Sequence, residues 1–302
     1  MTLFYKLSRI FVICAFFILI AAPSVLAEEQ VPQPFVLQDA QVQKFQSNIV
    51  KADYQLYISL PRNYDKETQA YPVIFVLDAD YCFPIVHQLV RFLSDHDEIN
   101  PAIVVGIAYP GVAQEKFGPL HKLNRTRDYT PSHVAKGGYG DEFQRQSGGA
   151  DQFLLLLEKE LIPNIESKFR VKHDRTIVGY SFGGLFASYA MVKKPALFQR
   201  YIVVSPSLWY DRRFIFRIER QLAQSRKDIR ATAFLSVGSF EHGPGREEMV
   251  KDLTDFAKTL QSRNYPNLHI RFLIEAGEDH HSIFPGAAMS GLRYVFSKSR
   301  KF

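Results

Sequence analysis

The chain has 302 residues, of which 46% are hydrophobic, 14% aromatic and 23% charged, with 17 Gly, 16 Pro and 2 Cys. This composition excludes a disordered, fibrous or low-complexity protein, and two cysteines cannot build a disulfide scaffold or a four-thiolate zinc site. The formal charge of +6 is spread along the chain without blocks of like charge, so it favours acidic ligands weakly and nucleic acid less still.

Met1–Arg9 carries Lys6 and Arg9 and no acid, and Ile10–Ile20 is an unbroken apolar run. Ala21-Ala22-Pro23-Ser24 breaks that run, and Val25-Leu26-Ala27 has the small-residue pattern of a signal-peptidase site. The run is short for a membrane span, which needs ~20 residues. Residues 1–27 are therefore expected to be a secretory signal peptide, with 28–302 as the catalytic domain and no stable membrane insertion after cleavage. Removing those 27 residues leaves 275, drops two basic residues and no acid, and lowers the charge from +6 to +4. Only Cys82 then survives, so the exported chain holds no internal disulfide, and Cys82 reads as a small buried apolar residue.

Glu28–Lys44 reads as a leader without strong periodicity. From Gln46 to Pro61 alternation at Tyr54, Leu56, Ile58 and Leu60 predicts an antiparallel hairpin. Short apolar, β-branched runs follow at Val73–Leu77, Ile103–Ile107, Thr176–Gly179, Tyr201–Val204, Ala233–Val237 and His269–Ile274. Runs without polar alternation fit strands buried on both faces of a parallel sheet. Helical spacing falls between them at Asp151–Phe169, Leu185–Val192, Ile215–Leu222, Glu247–Leu260 and Ala287–Phe296. Tyr109–Gly149 is the longest stretch without regular pattern. Alternating strands and helices predict an α/β protein with a mostly parallel central sheet and helices on both faces.

Gly179-Tyr180-Ser181-Phe182-Gly183-Gly184 follows one predicted strand and precedes a predicted helix. That is the context of a nucleophile elbow, in which a strained turn lifts a serine hydroxyl off the sheet edge. A side chain at Gly179 or Gly183 would collide with the neighbouring strand or helix, and the Phe182 amide would point at a developing oxyanion. A serine hydroxyl needs a base. Of the downstream histidines, His280 and His281 follow the last predicted strand, and adjacent side chains cannot both face one serine. His280 is favoured. The acid is expected after the Ala233–Val237 strand, where Gly238-Ser239-Phe240-Glu241 places Glu241 to hold the imidazole. No spaced partner cluster supports a metal reading of Asp279-His280-His281.

Several linked motifs carry a resemblance that spans nearly all of the mature chain. Tyr71–Asp78 looks like a strand leading to an oxyanion loop, and Arg127-Asp128-Tyr129-Thr130-Pro131 like a substrate-side loop. Gly148–Asp151 with Glu160–Pro163, Gly179–Gly184, Ser205-Pro206-Ser207-Leu208-Trp209 and His280-His281-Ser282 match in order and spacing. The chain resembles the bacterial putative-esterase family of α/β-hydrolases, which includes esterases of ferric enterobactin and bacillibactin. The resemblance implies an α/β-hydrolase fold and ester cleavage through a Ser181 acyl-enzyme, with no cofactor. It assigns the base to His280, two residues before Ser282, and the acid to Glu241, whose weight stays open because some members work with a Ser–His dyad. The family's glycine after Leu-Asp is replaced in Leu77-Asp78-Ala79-Asp80, which leaves Asp80 and Tyr81 as candidates to join Phe182 in the oxyanion hole. Export and the resemblance together suggest an exported enzyme, periplasmic or else secreted, monomeric or weakly self-associating, acting on a small ester such as a ferric siderophore. Arg125 and Arg127 would meet an anionic substrate or else brace their loop against Asp128, and Trp209 would line the site. A general short-chain or aryl carboxylesterase and a silent binding protein of the same fold are the competing readings.

Overall fold

The computed structural model describes residues 36–112, 118–242 and 248–297. The expected signal peptide lies outside them. Eight strands form one sheet: β1 (Ala40–Ser47), β2 (Ala52–Ser59), β3 (Tyr71–Val76), β4 (Ile103–Ala108), β5 (Val171–Tyr180), β6 (Arg200–Val204), β7 (Ala231–Gly238) and β8 (Leu268–Glu275). Their order across the sheet is β1-β2-β4-β3-β5-β6-β7-β8. β1 and β2 form the antiparallel hairpin, with Phe45 opposite Tyr54, and β2 runs antiparallel to β4. From β4 to β8 every pairing is parallel.

The alternation of side chains along the strands divides the interior in two. Val73, Phe75, Val203 and Leu235 point into one core, under α6 (Phe182–Lys193), α8 (Met249–Ser262) and the helix pair α4 (Ala150–Leu156) and α5 (Ile162–Lys168). Ile74, Val76, Ile202, Val204 and Phe234 point into the other, under α1 (Ala79–Asp95) and α9 (Phe284–Val295). Both faces are thus covered, which is why these strands lack polar alternation. Each fully buried aliphatic or aromatic side chain contributes about 1.5–3 kcal/mol. The expected long helix from Asp151 is continuous in direction but passes through one wider π-turn at Leu157–Leu161.

Three expectations change. β1 begins at Ala40, inside the presumed leader, because an edge strand with mostly exposed polar side chains carries no apolar alternation. α1 was not expected. Its buried face, Ala79, Cys82, Phe83, Val86, His87, Val90 and Leu93, has helical spacing, but Pro84 interrupts it. The patternless stretch after Tyr109 holds α2 (Pro119–Tyr129) and α3 (Asp141–Gln144), between which the chain is irregular. α2 buries His121, Arg125, Thr126, Asp128 and Tyr129, so its inward face is polar and aromatic, and a search for apolar periodicity passes over it.

Candidate active site

Parallel strands deliver their carboxyl ends to one edge of the sheet, and the loops there gather the chemistry. β5 ends at Tyr180, and Ser181 turns the chain into α6 with φ 58° and ψ −119°. Such a backbone is strained for a residue with a side chain. It is held by Ser181 N donating to the Val204 carbonyl at 3.1 Å, and by the Ser181 carbonyl accepting from Leu185 and Ser207 at 2.9 and 3.1 Å. Glycine is required at 179 and fits tightly at 183. A Cβ on Gly179 would lie 2.2 Å from the Gly183 carbonyl oxygen, and one on Gly183 would press on Asp78 and Leu77 at 3.0 and 3.3 Å.

The three groups expected to act together meet. Nε2 of His280 is 3.1 Å from Ser181 Oγ, and its Nδ1 is 2.7 Å from Glu241 Oε2. His280 rides on the loop after β8, where Tyr180 donates its hydroxyl to the His280 carbonyl and packs its ring, tilted by 31°, 5.0 Å from the imidazole. His281 turns its ring across that of His280 and also lines the cavity, away from the hydrogen-bonded chain. Glu241 follows β7 in a turn closed by its amide on the Gly238 carbonyl at 3.1 Å. Its second oxygen, Oε1, accepts from Ser205 Oγ at 2.5 Å and from the Gly238 amide at 2.8 Å. Glu241 is buried, so these donors replace the water that would otherwise orient and stabilise its charge.

The Phe182 amide opens α6, where a helix's first amides have no intrahelical acceptor. On the opposite wall α1 begins after Asp78. The Tyr81 amide already donates to the Asp78 carbonyl at 3.0 Å. It is therefore spent inside the first turn, a correction to its candidacy. The Asp80 amide in the same turn is hydrogen-bonded by its own carboxylate, and Asp80 does not line the cavity, a correction to its candidacy as well.

Arg125 lines the cavity, but its guanidinium is already engaged, and Arg127 lies outside the cavity lining. Arg125 grips both carboxylate oxygens of Asp78, at 2.6 and 3.0 Å, with both side chains 4% exposed. It also donates to the Tyr139 hydroxyl and, at 3.4 Å, to the Tyr180 carbonyl. One guanidinium thus ties together the start of α1, the elbow strand and the long loop. Arg127 gives Nε and Nη2 to Asp128 at 2.6 and 2.9 Å and does not line the cavity. Bracing, the competing role, is what the geometry gives both. Trp209 does line the cavity and packs against Phe182.

The cavity over Ser181 has a volume of about 890 Å³. Its walls are dominated by rings, among them Tyr81, Tyr139, Phe182, Trp209, Phe240 and Phe284. His121 also lines it, and burial pushes its imidazole down to about 4. Among the described residues no group of three or more His, Cys, Asp or Glu could hold a metal ion. Ser205, Tyr180 and Asp78 were not singled out from sequence. The signals for Ser205 were its place directly after a β-branched strand and in the Ser205–Trp209 motif, but neither assigned it a role.

Residues 47–265 match the model of the family described as "Putative esterase". The chain belongs to that family. The esterase is 28% identical over 269 residues to the ferri-bacillibactin esterase BesA of Bacillus subtilis, which covers 86% of this chain and 91% of that one. It is 27% identical over 282 residues to the siderophore enterobactin esterase of Emericella nidulans, covering 82% of this chain and 90% of the relative. Among solved structures, an IroE-like serine hydrolase from Shewanella oneidensis superimposes with a TM-score of 0.75 at 29% identity, over 85% of this chain and 80% of that one. The fold is that of an α/β-hydrolase, and the protein is an ester hydrolase.

Proposed function

We propose that this esterase hydrolyses the ester bonds that join the units of a siderophore, using Ser181 as nucleophile, His280 as general base and acid, and Glu241 as the group that orients the imidazole. The observation that carries this reading is the hydrogen-bonded chain Glu241–His280–Ser181 opening into a ring-lined cavity of about 890 Å³. The names of the relatives supply the substrate class, and flat aromatic walls suit catechol-like rings by stacking.

The steps follow from the distances. Ser181 Oγ attacks the ester carbonyl carbon while His280 Nε2 takes its proton, and Glu241 stabilises the imidazolium that forms. The oxyanion of the tetrahedral intermediate faces the Phe182 amide. Collapse breaks the carbon–oxygen bond, and His280 returns the proton to the departing alkoxide. Water then attacks the acyl-enzyme by the same route, releasing the acid and restoring Ser181. The basic, apolar and small-residue segments of Met1–Ala27 support action after export, in the periplasm.

Incubation with an enterobactin-type trilactone, iron-free and ferric, followed by mass spectrometry, tests the substrate. Linear products heavier by one water per broken ester are expected. Two intact trilactones beside rapid turnover of p-nitrophenyl butyrate would contradict the siderophore reading and leave a general carboxylesterase.

A further inference from the structure

Ser207 is a polar side chain in the cavity wall that takes no part in the steps above. Its amide donates to the Ser181 carbonyl at 3.1 Å, which fixes it beside the nucleophile. The residue is 2% exposed and lines the cavity. Ser205, two residues earlier, spends its hydroxyl on Glu241. The Ser207 hydroxyl has no hydrogen-bond partner among the described residues, yet it is not one of the side-chain oxygens sealed from solvent, so its small exposure opens into the cavity. Rings divide the wall around it into two sides. Tyr180 lies with His280 and Phe284, at 5.0 and 5.5 Å. Phe182 lies with Tyr139 and Trp209, at 5.1 and 6.0 Å. His280 must return its proton to the departing oxygen, so the leaving alcohol belongs on the first side. The acyl part then takes the second, where the chain runs from Ser207 to Trp209.

We propose that the Ser207 hydroxyl is the hydrogen-bonding point of an acyl subsite, so that the enzyme prefers acyl groups with an amide on the carbon next to the scissile carbonyl over plain hydrocarbon chains. This rests on the Ser181 mechanism proposed above, but not on a siderophore being the substrate. A hydroxyl both donates and accepts, and an amide offers a partner for each. In the acyl-enzyme Ser181 holds the acyl carbon covalently and holds Ser207 through its own backbone carbonyl, so the two stay in register through both half-reactions. A hydrocarbon chain in the same place would strip the hydroxyl of water and leave it unpaired, a penalty that falls on the wrong substrate alone.

The experiment measures kcat/KM for the p-nitrophenyl esters of N-acetylglycine and pentanoic acid, acyl chains of equal length, in the wild type and in Ser207→Ala, after subtracting enzyme-free rates. Comparing each ester across the two proteins cancels the difference in intrinsic reactivity between the esters. Ser207→Ala should lose roughly three- to tenfold on the N-acetylglycine ester and under about twofold on the pentanoate. Its Tm should not fall, because no partner within the protein loses a bond. Ser207→Cys, of similar shape but a weak donor, should repeat the pattern. Equal losses on both esters, or no loss on either, would overturn the proposal, and equal losses with a lower Tm would assign Ser207 to holding the elbow instead. Intact trilactones beside a selective loss on the amide ester would contradict the siderophore reading and leave the acyl subsite standing. Cleaved trilactones beside equal losses would do the reverse.

Discussion

Glu241 has one oxygen committed to His280 and the other to Ser205 and Gly238. Ser205 is fully buried and sits at φ 40°, so its hydroxyl is held at this carboxylate by a backbone that few residues tolerate. Ser205→Ala would remove one donor from a buried charge, a loss of order 1–2 kcal/mol in how firmly the imidazole is aimed. The expected result is a fall in kcat of about tenfold with KM little changed and the far-ultraviolet spectrum intact. An unchanged kcat would mean that Gly238 alone orients Glu241. Ser181, His280 and Glu241 were legible in the sequence because each follows a strand, in the order the chemistry needs. Ser205 and the Asp78–Arg125 clamp were not, because their partners lie 36 and 47 residues away and nothing local marks the pairing.

Element boundaries show the same limit. Apolar spacing predicted a helix starting at Ile215, whereas α7 spans Tyr210–Ala223. The two agree once the backbone is considered, because Asp211, Arg212 and Arg213 all lie in the left-handed region, with φ of 44°, 51° and 61°. A right-handed helix begins only after them. No glycine marks this turn, so sequence gave no warning of it. It is held by Ser132 donating to Asp211 at 2.8 Å, by Arg217 on Asp211 at 3.1 Å, and by Arg213 on buried Asp252. Each left-handed residue costs roughly 1–2 kcal/mol, and the turn directly follows the cavity residue Trp209. Arg212 is exposed, and its backbone is the easiest of the three to relieve. Arg212→Gly should therefore stabilise the fold by about 1 kcal/mol and raise Tm by roughly 2–4 °C in thermal unfolding. A lower Tm would show that the arginine side chain contributes more than its backbone costs.

At the scale of the whole molecule, the mostly parallel sheet and its two covered faces were legible because buried β-branched runs and helical spacing alternate along the chain. The helices with polar inward faces were not. Buried histidines on α2 and α1 make stability depend on pH. His121 and His87 are buried, and burial lowers both imidazoles from the usual value, His121 to about 4. The unfolded chain takes up protons near pH 6.5 while the folded chain resists, so stability falls as pH drops through that value. For His121 the loss is about 3 kcal/mol, complete near pH 4. Thermal unfolding from pH 7 to 4.5 should show Tm falling, with a shallower slope in His121→Gln. Equal slopes would place the acid sensitivity elsewhere. The account's central claim is that one serine, activated by His280, performs the chemistry. Its most direct measurement is intact-mass and peptide mapping after treatment with a fluorophosphonate, in the wild type and in Ser181→Ala and His280→Ala. The account predicts a single adduct on the peptide bearing Ser181, absent in Ser181→Ala and formed far more slowly in His280→Ala, with ester turnover lost in parallel. An adduct on another residue, or esterase activity surviving in Ser181→Ala, would contradict it.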